Sequence, residues 1–137
     1  MYGMVLPRFV EAAVGERTLQ VYGDGNQTRC FCHVADVVEA LVKLMSTPET
    51  VGQVYNLGND EEISMNDLAK RVIEVAGSKS TIEHIPYEKA YGQKFDDMMR
   101  RVPSVDKIRA AIGWKPRQDL NQIIRSVVDQ YRQQPRG

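Results

Sequence analysis

The sequence is poor in the features that staple a protein, carry it across a membrane or charge it strongly. Only two cysteines occur in its 137 residues, Cys30 and Cys32, with one residue between them. In an extended segment they stand too close for an unstrained disulfide, which excludes a disulfide-built secreted scaffold and fits a reducing compartment. No apolar run approaches the roughly 18 residues that a membrane-spanning helix needs, and the opening stretch lacks the basic start and long apolar core of a signal peptide. The expected location is therefore cytoplasmic, with no membrane partner. Neither sign of charge is in excess, since 18 basic residues balance 18 acidic ones. A nucleic-acid binder normally carries a clear basic surplus, so nucleic acid is not an expected partner either.

What is present is an ordinary globular composition, 42% hydrophobic and 26% charged. The length suits one domain over residues 1–137. The neutral sum hides a division: residues 1–93 hold 8 basic and 13 acidic side chains, whereas residues 94–137 hold 10 basic and 5 acidic. An anionic ligand would find most of its countercharge in the last third.

Leu6, Phe9, Val10, Ala13 and Val14 recur at helical spacing until Gly15, which predicts a helix over 5–14. Thr18 to Tyr22 alternates as a strand, Gly23-Asp-Gly25 turns, and Thr28 to Val34 resumes a β-rich run; a hairpin or a pair of crossing strands is expected. Val34, Val37, Val38, Leu41, Leu44 and Met45 form a helical stripe that Pro48 ends. Gln53 to Leu57 reads as a strand, and Ser64 with Asp67 three residues on reads as a capping-box start for a helix over 65–76. Thr81 to Ile85 reads as another strand, while Tyr87 to Met99 has no clear period and reads as a functional loop. Ser104 is expected to cap a short helix through Ile112. Leu120, Ile123, Ile124, Val127, Val128 and Tyr131 give a last helix its apolar face. The expected fold class is α/β, a small mixed domain of short strands and at least four helices.

Several short motifs have a structural explanation. Gly23-Asp-Gly-Asn-Gln-Thr28 begins like a dinucleotide fingerprint, but Thr28 stands where the third glycine belongs and the segment joins strand to strand, so turn glycines are the better reading. Cys30, Cys32, His33 and Asp36 suggest a metal cluster, yet in a strand the two thiols face one side and His33 the other. No metal is expected, and the thiols read as small buried hydrophobes. His84 has no evident acid partner and reads as structural. Arg29, at the mouth of a strand after a glycine turn, suits either a bidentate phosphate contact or a surface ion pair. Arg100 and Arg101 cannot both face the same way in extended backbone, so one can reach a ligand phosphate while the other is solvated or meets a carboxylate.

Taken together and in order, Tyr22-Gly-Asp-Gly-Asn-Gln-Thr-Arg29, Cys30-Phe-Cys-His-Val-Ala-Asp36, Gly52-Gln-Val-Tyr-Asn-Leu-Gly58, Arg100-Arg-Val-Pro-Ser104 and Ile112-Gly-Trp-Lys-Pro116 resemble the signatures of NAD-dependent nucleotide-sugar epimerases and dehydratases. These are extended short-chain dehydrogenases/reductases. The resemblance covers the C-terminal part of that family. The family's glycine-rich NAD motif and Tyr-x-x-x-Lys pair lie upstream, and no tyrosine here has a lysine four positions on.

The resemblance implies a nucleotide-sugar-binding lobe without the cofactor-binding Rossmann domain, inactive alone and with no catalytic residue of its own. NAD belongs to the missing domain of the parent enzyme, and no cofactor is expected on this chain. The implied ligand is a UDP- or dTDP-sugar, with the missing domain as partner and a homodimer possible. By position in the family, Arg29 and Arg101 contact the diphosphate, while Val21 and Tyr22 are weaker candidates for base or ribose contact. In related UDP-glucuronate decarboxylases an arginine in an Arg-x-Pro-Ser context has been proposed as a proton donor, and Arg101-Val-Pro-Ser104 matches it. Because a guanidinium stays protonated, charge stabilisation is the better role. A UDP-glucose 4-epimerase-like parent leads these expectations. A UDP-glucuronate decarboxylase, a dTDP-glucose 4,6-dehydratase and a non-enzymatic self-associating domain are the alternatives.

Overall fold

The computed structural model describes residues 4–91 and 98–133. Helix α1 (Val5–Val14), strand β1 (Leu19–Tyr22), strand β2 (Thr28–Cys30) and helix α2 (Val34–Met45) open the chain. After a 3-10 turn at Pro48–Thr50 come β3 (Glu62–Ser64), α3 (Met65–Ala76), β4 (Ile82–Ile85), α4 (Tyr87–Tyr91), α5 (Asp106–Ile112) and α6 (Leu120–Gln133). The class is α/β, as the spacing of apolar residues predicts, and the helices start and stop close to their expected ends because their periodicity is a local property.

The main core is a layer of three helices on one strand. Phe9 and Val10 of α1 and Leu68 and Val72 of α3 bury against Leu19 and Val21 of β1, and Ile124 and Val128 of α6 complete the cluster by packing on α1 and α3. A second, smaller core gathers Ala40, Val105, Ile108 and Trp114, with Tyr55 and Leu57 packed on it. Its polar anchor is buried Asp36, whose backbone carbonyl accepts the Trp114 indole N–H at 3.0 Å and whose carboxylate accepts the Gln118 amide at 3.1 Å. These two bonds tie the start of α2 to the segment between α5 and α6.

The strands depart from expectation in an instructive way. β1 and β2 do not pair with each other: β1 runs parallel to β4, and β2 runs antiparallel to β3. The turn between them gives its carbonyls to the first turn of α3, where Asn66 N–H bonds Gly25 O and Met65 N–H bonds Gln27 O. Free N–H groups at a helix start need partners, and supplying them takes from the turn the carbonyls a hairpin would use. Ser64 caps α3 as expected, its hydroxyl accepting from Asp67 N–H at 3.1 Å and donating to the Asp67 carboxylate at 2.7 Å. Ser104 does not cap α5, whose N-cap is Val105 with no side-chain bond. Part of the expected loop after Pro86 is helical, as α4, and residues 92–97 of that loop lie outside the described residues.

Gln53 to Leu57 forms no strand, and Val54 is 82% exposed. Extended backbone becomes a strand only beside another edge, and no described segment offers one here. The neighbouring stripe of α2 is equally unpartnered, with Val38, Leu41, Val42 and Met45 all exposed.

This division of buried from exposed apolar residues is measurable. Ile124→Ala, at a fully buried position, is expected to lower unfolding free energy by about 2–5 kcal/mol. Val42→Ala, on the exposed stripe, is expected to change it by less than ~0.5 kcal/mol. Urea unfolding followed by circular dichroism compares the two, and equal losses would mean that the stripe of α2 is buried.

Candidate functional site

The alternation of β1 sorts its side chains: Leu19 and Val21 face the core, and Gln20 and Tyr22 face outward. Val21 is completely buried, so this candidate offers a ligand only its backbone. Tyr22 borders an open cleft of about 400 Å³ together with Arg8, Phe9, Ala12, Arg17 and Gln20. The Arg8 guanidinium lies 4.1 Å from the Tyr22 ring centroid and donates to the Gln20 carbonyl at 3.2 Å. A cation stacked on the tyrosine, above a strand with exposed polar positions, makes a platform suited to an aromatic, polar-edged group.

Beyond Tyr22 the glycine turn redirects the chain. Gly23 and Gly25 have φ of 70° and 74°, and a side chain on either would collide with a neighbour, Tyr87 at Gly23 and Asn66 at Gly25. Gln27, only 6% exposed, donates its side-chain amide to the Tyr22 carbonyl at 3.0 Å and to the Tyr87 hydroxyl at 2.9 Å. The glycine reading of the motif therefore holds for both turn positions.

β2 is then flanked on both edges. On one lies β3, and on the other an isolated parallel bridge joins Thr28 to Arg100, with Thr28 N–H bonding Met99 O at 2.8 Å. Arg29 donates from Nη1 to the carbonyls of Thr28, at 2.6 Å, and Met98, at 2.8 Å. The two adjacent arginines diverge as extended backbone requires. Arg100 Nε bonds both oxygens of Glu62, at 3.0 and 3.1 Å. Arg101 instead borders an open cavity of about 450 Å³, lined also by Cys30, Cys32, Asn56 to Asn59 and Val102 to Ser104. Arg29 and Arg101 thus sit one residue past the same bridge, on neighbouring segments that run the same way.

The thiols differ from the sequence reading, since both are half-buried and line the cavity, not the core. Partial burial pushes both thiols above their ordinary pKa, helped at Cys30 by Glu62 and Asp60 and at Cys32 by Asp36. They are protonated, poor nucleophiles near neutral pH. His33 is used as the N-cap of α2, accepting Ala35 N–H at 3.1 Å. Among the described residues no His, Cys, Asp and Glu cluster could hold a metal. His84 bonds Asn66 Oδ1 at 2.9 Å. Glu62 is held below its ordinary pKa first by the Thr28 hydroxyl and then by Arg100. Sequence reasoning missed Arg8, Gln20 and Glu62; the outward phase of β1 carried a signal for Gln20, whereas Glu62 carried none.

Comparison with known proteins gives consistent findings. The family model described as GDP-mannose 4,6-dehydratase matches residues 3–127. A UDP-N-acetyl-α-D-glucosaminuronate decarboxylase of Bacillus cytotoxicus is 35% identical over 132 residues, 96% of this chain and 41% of that protein. UDP-glucuronic acid decarboxylase 2 of Arabidopsis thaliana is 39% identical over 135 residues, 98% of this chain and 28% of that protein. Among solved structures, a UDP-glucose 4-epimerase of Thermotoga maritima with UDP-glucose superposes with a TM-score of 0.84 at 24% identity, covering 96% of this chain and 40% of that one. The chain spans less than half the length of these relatives.

The close packing of the glycine turn is testable. Gly52, with φ of 74° and open space around it, provides the control, and Gly52→Ala is expected to cost about 1 kcal/mol from backbone strain alone. Gly25→Ala must also displace Asn66, which bonds Asp24 O and His84, and is expected to cost about 2 kcal/mol or more. Equal losses in thermal unfolding would show that the turn is not clamped by α3.

Proposed function

The chain belongs to the GDP-mannose 4,6-dehydratase family, among the NAD-dependent nucleotide-sugar epimerases and dehydratases of the extended short-chain dehydrogenase/reductase type, and from that premise we propose that it is the sugar-nucleotide-binding lobe of such an enzyme. The observation that carries this reading is the bridge between Thr28 and Arg100, which sets Arg29 and Arg101 on adjacent segments, with Arg101 at the mouth of a cavity. Guanidinium groups match the oxygens of a diphosphate bidentately and keep their charge at every physiological pH. The cleft at Tyr22 and Arg8 suits the base and ribose, and the cavity beside Arg101 suits the diphosphate and sugar.

The chain supplies binding and charge stabilisation, and the cofactor-bearing partner lobe supplies the rest. NAD, bound there, would accept a hydride from the sugar and return it. The glycine turn of this chain is filled by Tyr87 and Asn66 and joins strand to strand, so it offers no cradle for a dinucleotide. The exposed stripe of α2 and the unpaired segment at Gln53 to Leu57 mark the side on which that lobe would sit. No helix of the described residues is long and apolar enough to cross a membrane, and a cytoplasmic site of action is part of the proposal.

For the reaction, decarboxylation of a UDP-hexuronic acid has the most support, because curated relatives at 35–39% identity are named as decarboxylases and Arg101-Val-Pro-Ser104 has the matching arrangement. In that role Arg101 stabilises the diphosphate or a developing oxyanion, remaining protonated throughout. Epimerisation at C4 is the second reading, favoured by the likeness to the epimerase solved with UDP-glucose.

Titration of the isolated chain with UDP, followed by amide NMR, tests the binding role. Shifts are expected around Tyr22, Arg29 and Arg101, and Arg101→Ala should weaken binding about tenfold, the loss of one charge-assisted contact. Shifts scattered elsewhere, or unaltered by Arg101→Ala, would overturn the reading.

A further inference from the structure

Glu62 contributes nothing to the ligand-binding reading above, yet it sits at the joint on which that reading depends. Its carboxylate accepts the Thr28 hydroxyl from β2 and both Arg100 contacts from the returning segment. One side chain of β3 therefore spans β2 and grips the segment on its far edge. The same segment is otherwise held by the Thr28 amide on Met99 O and by Arg29 Nη1 on Met98 O. Arg101 is the next residue along. We infer that Glu62 is a positioning residue for the diphosphate site, fixing Arg101 through Arg100 and holding Arg29 beside it. This inference rests on the proposed function and names the device that sets its geometry.

Among the described residues, the titratable and charged groups around Glu62 are few. Cys30 lies on the same face of β2, Arg100 reaches in from the returning segment, and Asp60 and Glu61 precede it on its own segment. Asp60 is engaged by Arg109 at 3.6 Å. Arg100 remains 69% exposed in the pair, and an exposed ion pair adds little to global stability. Its value lies in orientation, because a short extended segment with only a few backbone anchors swings when one is lost. The Thr28 hydroxyl and Arg100 hold the Glu62 carboxyl below its ordinary range. The grip is therefore complete above that range and is lost as pH falls through the depressed value.

The test uses UDP-glucose, whose diphosphate stays ionised throughout this range, and compares the wild-type chain with Glu62→Gln by calorimetry from pH 7 downward. At pH 7 Glu62→Gln is expected to bind about fivefold more weakly, with a melting temperature within about 2 °C of wild type. As the pH falls below the ordinary carboxylate range and through the depressed value of Glu62, the wild-type affinity should drop to that of the variant and their ratio approach one. A ratio near one at pH 7, or a constant ratio across the titration, would overturn the positioning role. Absence of UDP-glucose binding by the wild type at any pH would instead defeat the proposed function. Glu62 would then be judged from the ligand-free chain, where Glu62→Gln should shift the Thr28 and Arg101 amide resonances and leave those of α6 unmoved. Unmoved Thr28 and Arg101 resonances would overturn it there.

Discussion

The fold turns on the clamped crossover between its two small sheets. β1 and β2 share no ladder, so the five residues between them, 23–27, join one sheet to the other, with α3 packed against strands of both. That connection is held by buried Gln27, whose amide spans Tyr22 O and the Tyr87 hydroxyl, and by the start of α3, which takes the carbonyls of Gly25 and Gln27. A buried amide that is fully bonded rigidifies its surroundings, and leaving it half-bonded would cost the desolvation of the unpaired group. These bonds restrain the turn that lies between the Tyr22 cleft and the strand bordering the Arg101 cavity.

A second constraint is what the chain leaves unfinished. A helix normally buries an apolar stripe against another layer, and α2 fully buries only Asp36 and Ala40 and half-buries Leu44, while Val34, Val38, Leu41, Val42 and Met45 face outward. The adjoining Gln53 to Leu57 is composed as a strand and remains unpaired. Both deficits lie in consecutive chain, and both are of the kind that a sheet with a helix-receiving face and a free edge would satisfy. The second core beneath them, around Trp114 and Asp36, is complete without it.

The helices were legible in the sequence because spacing, caps and terminating glycines act over a few residues; Ser64 and Asp67 behave as their spacing predicts. Strand partners were not, since pairing is decided by distant segments, and the apparent hairpin at Gly23 to Gly25 dissolved once α3 claimed its carbonyls. The run at Gln53 to Leu57 misled for the opposite reason, its composition being right while no partner edge lies beside it among the described residues. At the site, the divergence of Arg100 and Arg101 followed from backbone alternation alone. Glu62 was invisible, as one of three consecutive acidic residues with nothing to mark which would cross a strand.

The order of events in folding follows from the strand pairing. Both ladders and the Thr28 bridge join segments far apart in the chain, residue 19 with 82, 28 with 64, and 28 with 100. Helices form from neighbours, whereas each of these pairings must first meet the entropy of closing a long loop. The pairing that sets Arg101 beside Arg29 closes the longest of them. That corner carries the largest closure entropy of the three pairings, so it is expected to assemble late, and a chain can hold its helical core before Arg101 stands beside Arg29.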